Sequence, residues 1–389
     1  MKIFYIGAFR FPLYDAAAAR ILNVARALRL AGHQVSFISW GGKRRPEDQT
    51  NNGQLVYDGF PYVVTDEIDA NGGFHRKFIS RMTRGCKTKY LLKERLGEYD
   101  VIITYNCSLI GWLVSFCRKN RVYLVSDLTE WYANNELYFY ERLSYWYQMH
   151  VLQKRICNKL VISTFLDDYY SQTHNIVVPA TCDASESKWQ CVVVDERIAP
   201  FDGITLIYAG NPARKDAVHC VINAVNALAD DEAKVRFLII GITKEQYLEK
   251  YKGLLKRKKL NDSIKFLGRV SQDDVPSYYA LADFMVLLRE PTRKSNAGFP
   301  TKFSESFTSG TPVIANLTSD LGLYLKDGET GFVIDNPSEE AIYRTLKEKV
   351  LHLNKEDIES LKRNVRETAK QLDYHAFVEP LRIFMNDLR

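Results

Sequence analysis

The chain has 389 residues, 46% hydrophobic and 26% charged, with a formal net charge of +6. That length exceeds what one hydrophobic core usually serves and predicts two domains of roughly 150–200 residues. The charge is too small to argue for nucleic acid, no apolar run nears the ~18 residues of a membrane span, and the scattered cysteines lack metal-site or redox spacing.

The first element expected is a buried strand, Ile3 to Gly7. Arg10 and Pro12 break the apolar run, and no small-residue cleavage site follows, so it does not read as a signal peptide. A loop from Ala8 to Asp15 leads into a helix over Ala16 to Leu30, ended by Gly32, and the strand Gln34 to Ser39 completes a parallel β-α-β unit. Ligands of such sheets gather beyond the carboxyl ends of the strands, which singles out Gly7, Asp15 and the loop between them. His33 reads as structural. Between Phe74 and Leu96, apolar residues alternate with Arg76, Lys77, Arg81, Arg84, Lys87, Lys89, Lys93 and Arg95. A basic amphipathic helix of this kind suits an anionic membrane surface, although Gly85 interrupts the period and a solvated helix packed on the sheet is an equal reading.

Further strands are expected at Val101 to Thr104, Val122 to Val125 and Leu160 to Ser163. Asn106 follows the first of these. The second runs into Asp127, Glu130 and Trp131, a strand-end position where α/β sites concentrate side chains; capping of a following helix is the plainer role for Asp127 and Glu130. The polar, irregular stretch Ser185 to Asp202 reads as the domain boundary. The pattern then restarts with strand Ile204 to Ala209, helix Ala217 to Ala229, and strands Val235 to Ile240, Ile264 to Leu267 and Phe284 to Leu288. Gly210 ends the first of these strands as Gly7 does, with Arg214 and Lys215 close behind.

The densest signal is Asn296 to Ala315. A polar loop from Arg289 to Ser295 is followed by a short helix capped by Thr301 and stopped by Gly310 and Pro312. Phe303 and Phe307 would face the core, leaving Lys302 and Glu305 free on another face. A lysine in a first helical turn opposes the macrodipole, and the placement makes most sense with an anion between it and the free amides; a diphosphate would fit. An ordinary amphipathic helix with solvated Lys and Glu is the alternative. Two charged helices follow, Ala341 to Lys355 and Ile358 to Gln371, and the apolar residues Phe377, Leu381, Phe384 and Leu388 recur at helical spacing near the end.

Five landmarks in order resemble family 4 glycosyltransferases of the GT-B fold: GAFRFPLYDAAAARILNVARALRLAGHQVSF, LVISTFLDDYYSQTHNIVVPATCD, ITLIYAGNPARKDAVHCVINAV, IKFLGRVSQDDVPSYYALADFMVLL and NAGFPTKFSESFTSGTPVIA. The resemblance implies an α/β chain of two Rossmann-like domains facing across a cleft. Residues 1–197 with a C-terminal crossover helix, 374–389, would take the acceptor, and residues 198–373 the nucleotide-sugar donor. It implies transfer of a sugar from a nucleotide diphosphate to an acceptor hydroxyl with retention, in polysaccharide or glycoconjugate assembly. A cytoplasmic or peripheral membrane setting, a glycan or lipid-linked glycan acceptor and no metal cofactor go with it. Lys302 and Lys215, or its rival Arg214, would meet the diphosphate. Gly210, Asn296, Gly298 and Phe299 would line the donor site, and Glu305 matches the position that binds the ribose hydroxyls. Asp127, Glu130 and Asn106 would face the acceptor. The family's second Glu, eight residues before the first, is Ala297 here, which puts donor identity in doubt and leaves its work to Lys302, Asn296 and the backbone at Gly298. An epimerase or hydrolase of the same fold, and a noncatalytic binding subunit, stay open as alternatives.

Overall fold

The structure is a computed structural model that describes residues 1–12, 15–50, 53–67, 83–132, 137–190, 195–212, 216–257 and 259–389. The chain divides into two compact α/β units: Met1–Thr181 with Tyr374–Arg389, and Cys182–Asp373. The second unit begins ahead of the expected linker. Cys182 donates its amide to the Leu372 carbonyl at 3.0 Å, and the Ala184 amide donates to Asp373 at 2.9 Å, so this stretch is fastened to the far end of that unit.

In the first unit an eight-stranded sheet is ordered β3-β4-β2-β1-β5-β6-β7-β8. Its strands are β1 (Lys2–Phe11), β2 (Gln34–Gly42), β3 (Leu55–Tyr57), β4 (Phe60–Val64), β5 (Val101–Tyr105), β6 (Tyr123–Leu128), β7 (Asn158–Val161) and β8 (His174–Val177). All pairings are parallel except β3 with β4. The central strands read as unbroken apolar runs because helices cover both faces. One face carries Ala16–Leu30 and Val378–Asn386, whose Leu381, Phe384 and Met385 join the same core as Ile21 and Leu28. The other face carries Cys86–Glu94 and Ile110–Asn120, through Leu92, Ile110 and Leu113.

β1 runs four residues beyond the expected end at Gly7, with its register to β2 shifting between Gly7 and Arg10. Buried Phe9 and Phe11 drive the extension. Gly7 is therefore an inner ladder position, with φ +138° and no room for a side chain: a Cβ there would stand 1.9 Å from the Tyr105 carbonyl oxygen. Asp15 is likewise not a free loop carboxylate. It caps the first helix by accepting the Ala18 amide at 2.8 Å.

Below the carboxyl end of this sheet lies a buried ion pair. Asp127 on β6 accepts from Arg20 at 2.9 Å and from the Tyr5 hydroxyl, and Arg20 also donates to the Val178 and Pro179 carbonyls at 2.7 and 2.9 Å. Asp127 and Arg20 are 1% and 4% exposed. The helix-capping role expected for Asp127 is corrected here: its carboxylate is taken by Arg20 and Tyr5, which ties β6 to β1 and the first helix, and the residue also lines a small pocket with Asn106 and Glu130.

The second unit has a six-stranded parallel sheet ordered β11-β10-β9-β12-β13-β14. These are β9 (Ile204–Ala209), β10 (Val235–Ile240), β11 (Ile264–Gly268), β12 (Phe284–Leu287), β13 (Val313–Asn316) and β14 (Gly331–Ile334). The reversal of strand order falls between β9 and β12, where such sheets place their ligands.

Removing one partner of a buried pair strands the other charge, whereas replacing both leaves none. Asp127→Ala should thus lower the unfolding free energy by about 3–5 kcal/mol, and Arg20→Met with Asp127→Leu should recover much of it. Denaturant titration of the variants checks this; equal losses in single and double variants would count against the pair.

Candidate functional site

The switch point between β9 and β12 holds a cluster of charge. Lys302, from the helix Thr301–Thr308, places Nζ 2.8 Å from Asp216 Oδ2 and 2.5 Å from the Tyr208 hydroxyl. Tyr208, at the end of β9, donates to the same Asp216 oxygen at 2.6 Å. Arg289, just past β12, brings Nε to 3.7 Å of Asp216 Oδ1. Its guanidinium is buried, and neither Nε nor Nη1 has a hydrogen-bond partner among the described residues. The Arg289 backbone is fixed on both sides by the Asn316 side chain, at 2.8 and 2.7 Å.

The sequence makes this cluster through two glycines. Gly210 has φ +130°, and a Cβ on it would lie 2.6 Å from Lys302 Cε. A Cβ on Gly241 would in turn lie 2.6 Å from the Gly210 backbone. Lys302 thus lies directly across the end of β9, where any side chain would displace it. Burial works to raise the Asp216 carboxyl, but Lys302 and Tyr208 outweigh it and hold the group below the ordinary carboxylate value. Lys302 is pushed down by burial despite the pull of Asp216. Among the described residues the cluster sets two cations against one carboxylate, and Lys302 spends two of the three donors of its ammonium.

Lys302 was expected to be free on the helix surface; the structure corrects this, since it is already braced by Asp216 and Tyr208. Thr301 is not the cap either. Pro300 occupies that position without a side-chain hydrogen bond, and the amides of Phe299, Thr301 and Lys302 donate to no group among the described residues. Those amides face the end of the helix where anions are favoured. Glu305, one turn on from Lys302, is half-buried, and desolvation pushes its carboxyl up to about 7.

Two donor-side expectations change. The segment read as a polar loop forms a short helix, Arg293–Ala297, with Thr292 and Ser295 capping each other, and Ala297 is fully buried inside it. Asn296 accepts the Ser319 amide at 3.2 Å, and the Gly298 amide donates back to the Lys294 carbonyl at 3.2 Å, so both spend these groups on the local fold. Phe299 packs edge-on to Phe303 and Tyr324. Arg214 and Lys215 lie outside the described residues.

In the first unit, Asn106 and Glu130 come together beyond β5 and β6 in a small polar pocket shared with Tyr132, Tyr145, Gln148 and Gln153. Asn106 adopts φ +40° and reaches the Tyr132 hydroxyl at 3.4 Å. Gln153 is 2% exposed, and its Oε1 has no partner among the described residues.

Asp216, Tyr208, Arg289 and Gln153 were not expected. A signal for two of them exists: Tyr5-Ile6-Gly7 and Tyr208-Ala209-Gly210 are the same tyrosine-x-glycine step on the opening strand of each unit, and each tyrosine serves a buried carboxylate.

Residues 196–371 match the family model described as glycosyl transferases group 1. That match falls within the second unit. The chain shares 26% identity over 157 residues with a D-inositol 3-phosphate glycosyltransferase of Streptomyces scabiei, covering 38% of this chain and 33% of that protein. An alpha-monoglucosyldiacylglycerol synthase of Streptococcus pneumoniae is 25% identical over 175 residues, 43% of this chain and 38% of its own. The match thus spans about a third of the length of these curated relatives. Among solved structures, a sucrose-phosphate synthase from Thermosynechococcus elongatus superposes with a TM-score of 0.71 at 17% identity, over 99% of this chain and 98% of that one. HepE of Anabaena, in complex with UDP and glucose, superposes at 0.69 and 16% identity over the whole of both chains. The fold is GT-B.

Because the native state keeps the Glu305 proton up to about pH 7 and the unfolded chain releases it near the ordinary 4.5, this group's contribution to stability is whole at low pH and is lost as pH rises through about 7. Glu305→Gln, neutral throughout, should melt level with the parent near about pH 4 and above it near about pH 8. Parallel melting curves at all pH values would show that the carboxyl is not desolvated.

Proposed function

We propose that the chain is a retaining glycosyltransferase of the family 4 type, moving a sugar from a nucleotide diphosphate to an acceptor hydroxyl. The observation that carries this reading is the braced Lys302 beside Arg289 at the β9/β12 switch point, whose Nε and Nη1 have no hydrogen-bond partner among the described residues. A departing diphosphate develops charge that fixed cations and amides stabilise best, since they need no reorganisation as the bond breaks. Lys302 has one N–H left for it, Arg289 supplies a second positive centre, and the amides of Phe299, Thr301 and Lys302 open the adjacent helix. Glu305, one turn further, is assigned to the ribose hydroxyls. The structural relative HepE, whose complexes hold UDP or UDP-glucose, makes uridine diphosphate sugars the first donors to try.

Protein cations, not a metal ion, are assigned the diphosphate charge. The pocket of Asn106, Glu130, Tyr132 and Gln153 is assigned to the acceptor, a hydroxylated glycan or lipid-linked glycan, on its density of hydrogen-bonding groups. Ala297 favours a second reading. With no carboxylate at that position and Ala297 itself fully buried, a binding subunit that holds nucleotide sugar without transferring it is the rival.

A thermal-shift screen of nucleotide sugars, followed by measurement of acceptor-dependent nucleotide release, separates the two. Release that depends on acceptor supports transfer; a stabilising donor with no release under any acceptor supports binding alone.

Lys302→Ala should reduce kcat/KM by roughly ten- to a hundredfold, the loss of one charge-assisted contact worth about 1.5–3 kcal/mol. It should also lower the melting temperature, because Asp216 then keeps only Arg289 as a cation; unchanged kinetics would remove Lys302 from the reaction. Nucleoside diphosphate affinity, measured by calorimetry, should rise as Glu305 ionises through about pH 7 and lose that dependence in Glu305→Gln. Equal affinity and equal pH profile in both proteins would sink the ribose assignment.

A further inference from the structure

The helix Phe139–Tyr147 leaves an aromatic surface in solvent. Phe139 is 85% exposed, Leu143 75% and Trp146 53%, with Tyr138 and Tyr147 at 61% and 44%. Phe139, Leu143, Trp146 and Tyr147 sit at spacings of four, seven and eight, which is a single stripe down one side of a helix. Leaving apolar area of this extent in water is unfavourable at about 25 cal/mol per Å², and contiguous patches of this kind mark interaction sites.

Rotation of the helix cannot hide the stripe, because its inner side is fixed. The Tyr145 hydroxyl accepts the Tyr132 amide at 2.9 Å, and Met149 is buried with its carbonyl taken by the Tyr170 hydroxyl at 2.7 Å. Trp131, His150 and Tyr169 pack edge-on to one another beneath the following turn.

From Tyr138 to Arg155 the exposed charged side chains are Arg142, Lys154 and Arg155, while Glu141 is half-buried and accepts the Tyr138 amide at 3.1 Å. Elsewhere in the first unit the helix Cys86–Glu94 presents Lys87, Lys93, Glu94 and a 65% exposed Tyr90. Tryptophan, tyrosine and phenylalanine fringed by Lys and Arg is the composition that settles at the headgroup level of a bilayer. No helix among the described residues is long and apolar enough to cross a membrane.

We propose that the helix Phe139–Tyr147 is an interfacial anchor for an anionic lipid bilayer. Its aromatic stripe enters the boundary between headgroups and acyl chains, and Arg142, Lys154 and Arg155 meet the lipid phosphates. Of the segment 74–96 expected to serve this purpose, residues 74–82 lie outside the described residues; the rest becomes a second source of charge and not the anchor. The proposal does not rest on sugar transfer, since its readout is partition and not turnover.

The full chain should sediment with vesicles of phosphatidylcholine containing phosphatidylglycerol and not with phosphatidylcholine alone, with weaker binding at high salt. Its tryptophan emission should shift to the blue on binding, and Trp146→Phe should remove most of that shift. The triple variant Phe139→Ser, Leu143→Ser, Trp146→Ser should lose at least about tenfold in partition, and Arg142→Gln or Lys154→Gln about fivefold each, the equivalent of about 1 kcal/mol per basic side chain. Melting temperatures should stay at the parent value, because these side chains are already in solvent. Unchanged sedimentation of the triple variant would overturn the proposal. So would a concentration-dependent dimer that the triple substitution dissolves in the absence of lipid, which would assign the stripe to a second copy of the chain.

Discussion

A buried carboxylate that cannot stand alone organises each half of this protein. In the first unit Asp127 needs Arg20 and Tyr5; in the second, Asp216 needs Lys302, Tyr208 and the nearby Arg289. Stripped of its partners, either anion would carry a desolvation cost of several kcal/mol, so the strand, the helix and the opening strand that supply those partners must converge. The same arithmetic yields opposite outcomes. Arg20 is held by a carboxylate and two carbonyls, and in the first pair cation and anion balance one to one. Among the described residues the second pair has one more cation than anion and donors still unused, and that surplus is what makes it a site.

The surplus also explains how a lysine can stand in the first turn of a helix. Its head is drawn out of the helix axis by Asp216 and Tyr208, across a strand end kept bare by Gly210. The anti-dipole placement is thus supported from a different strand before any ligand arrives, and the ammonium is held in one orientation instead of sampling solvent. Preorganisation of this kind is what electrostatic stabilisation of a leaving group requires.

Much of this was legible in the sequence where periodicity or turn chemistry is local. The alternation of buried strands and amphipathic helices gave two α/β units, and the Phe303/Phe307 spacing oriented the helix that carries Lys302 and Glu305. What escaped was set by tertiary pairing. β1 runs past Gly7 because Phe9 and Phe11 find a core among strands far along the chain, and Asp127 looks like an open strand-end carboxylate until Arg20, more than a hundred residues away, is folded onto it. Asp216 and Arg289 are unremarkable as letters, and only the reversal of strand order between β9 and β12 brings them together. The tyrosine-x-glycine step repeated at the start of both units was the one local trace of the two carboxylates.

The path of the chain has a consequence for how it comes off the ribosome. The core of the first unit includes Tyr374, Leu381, Phe384 and Met385, and the Asn158 side chain on β7 is held by the backbone of Arg389 at 2.8 and 3.0 Å. All of these are synthesised after the whole second unit has emerged. At about 5–20 residues per second, translating that unit takes on the order of ten to forty seconds, during which the first unit has an open apolar seat beside its first helix. The second unit, contiguous from Cys182 to Asp373, can close as soon as it leaves the tunnel. The core of the first unit can therefore be completed only after every residue of the second has been synthesised.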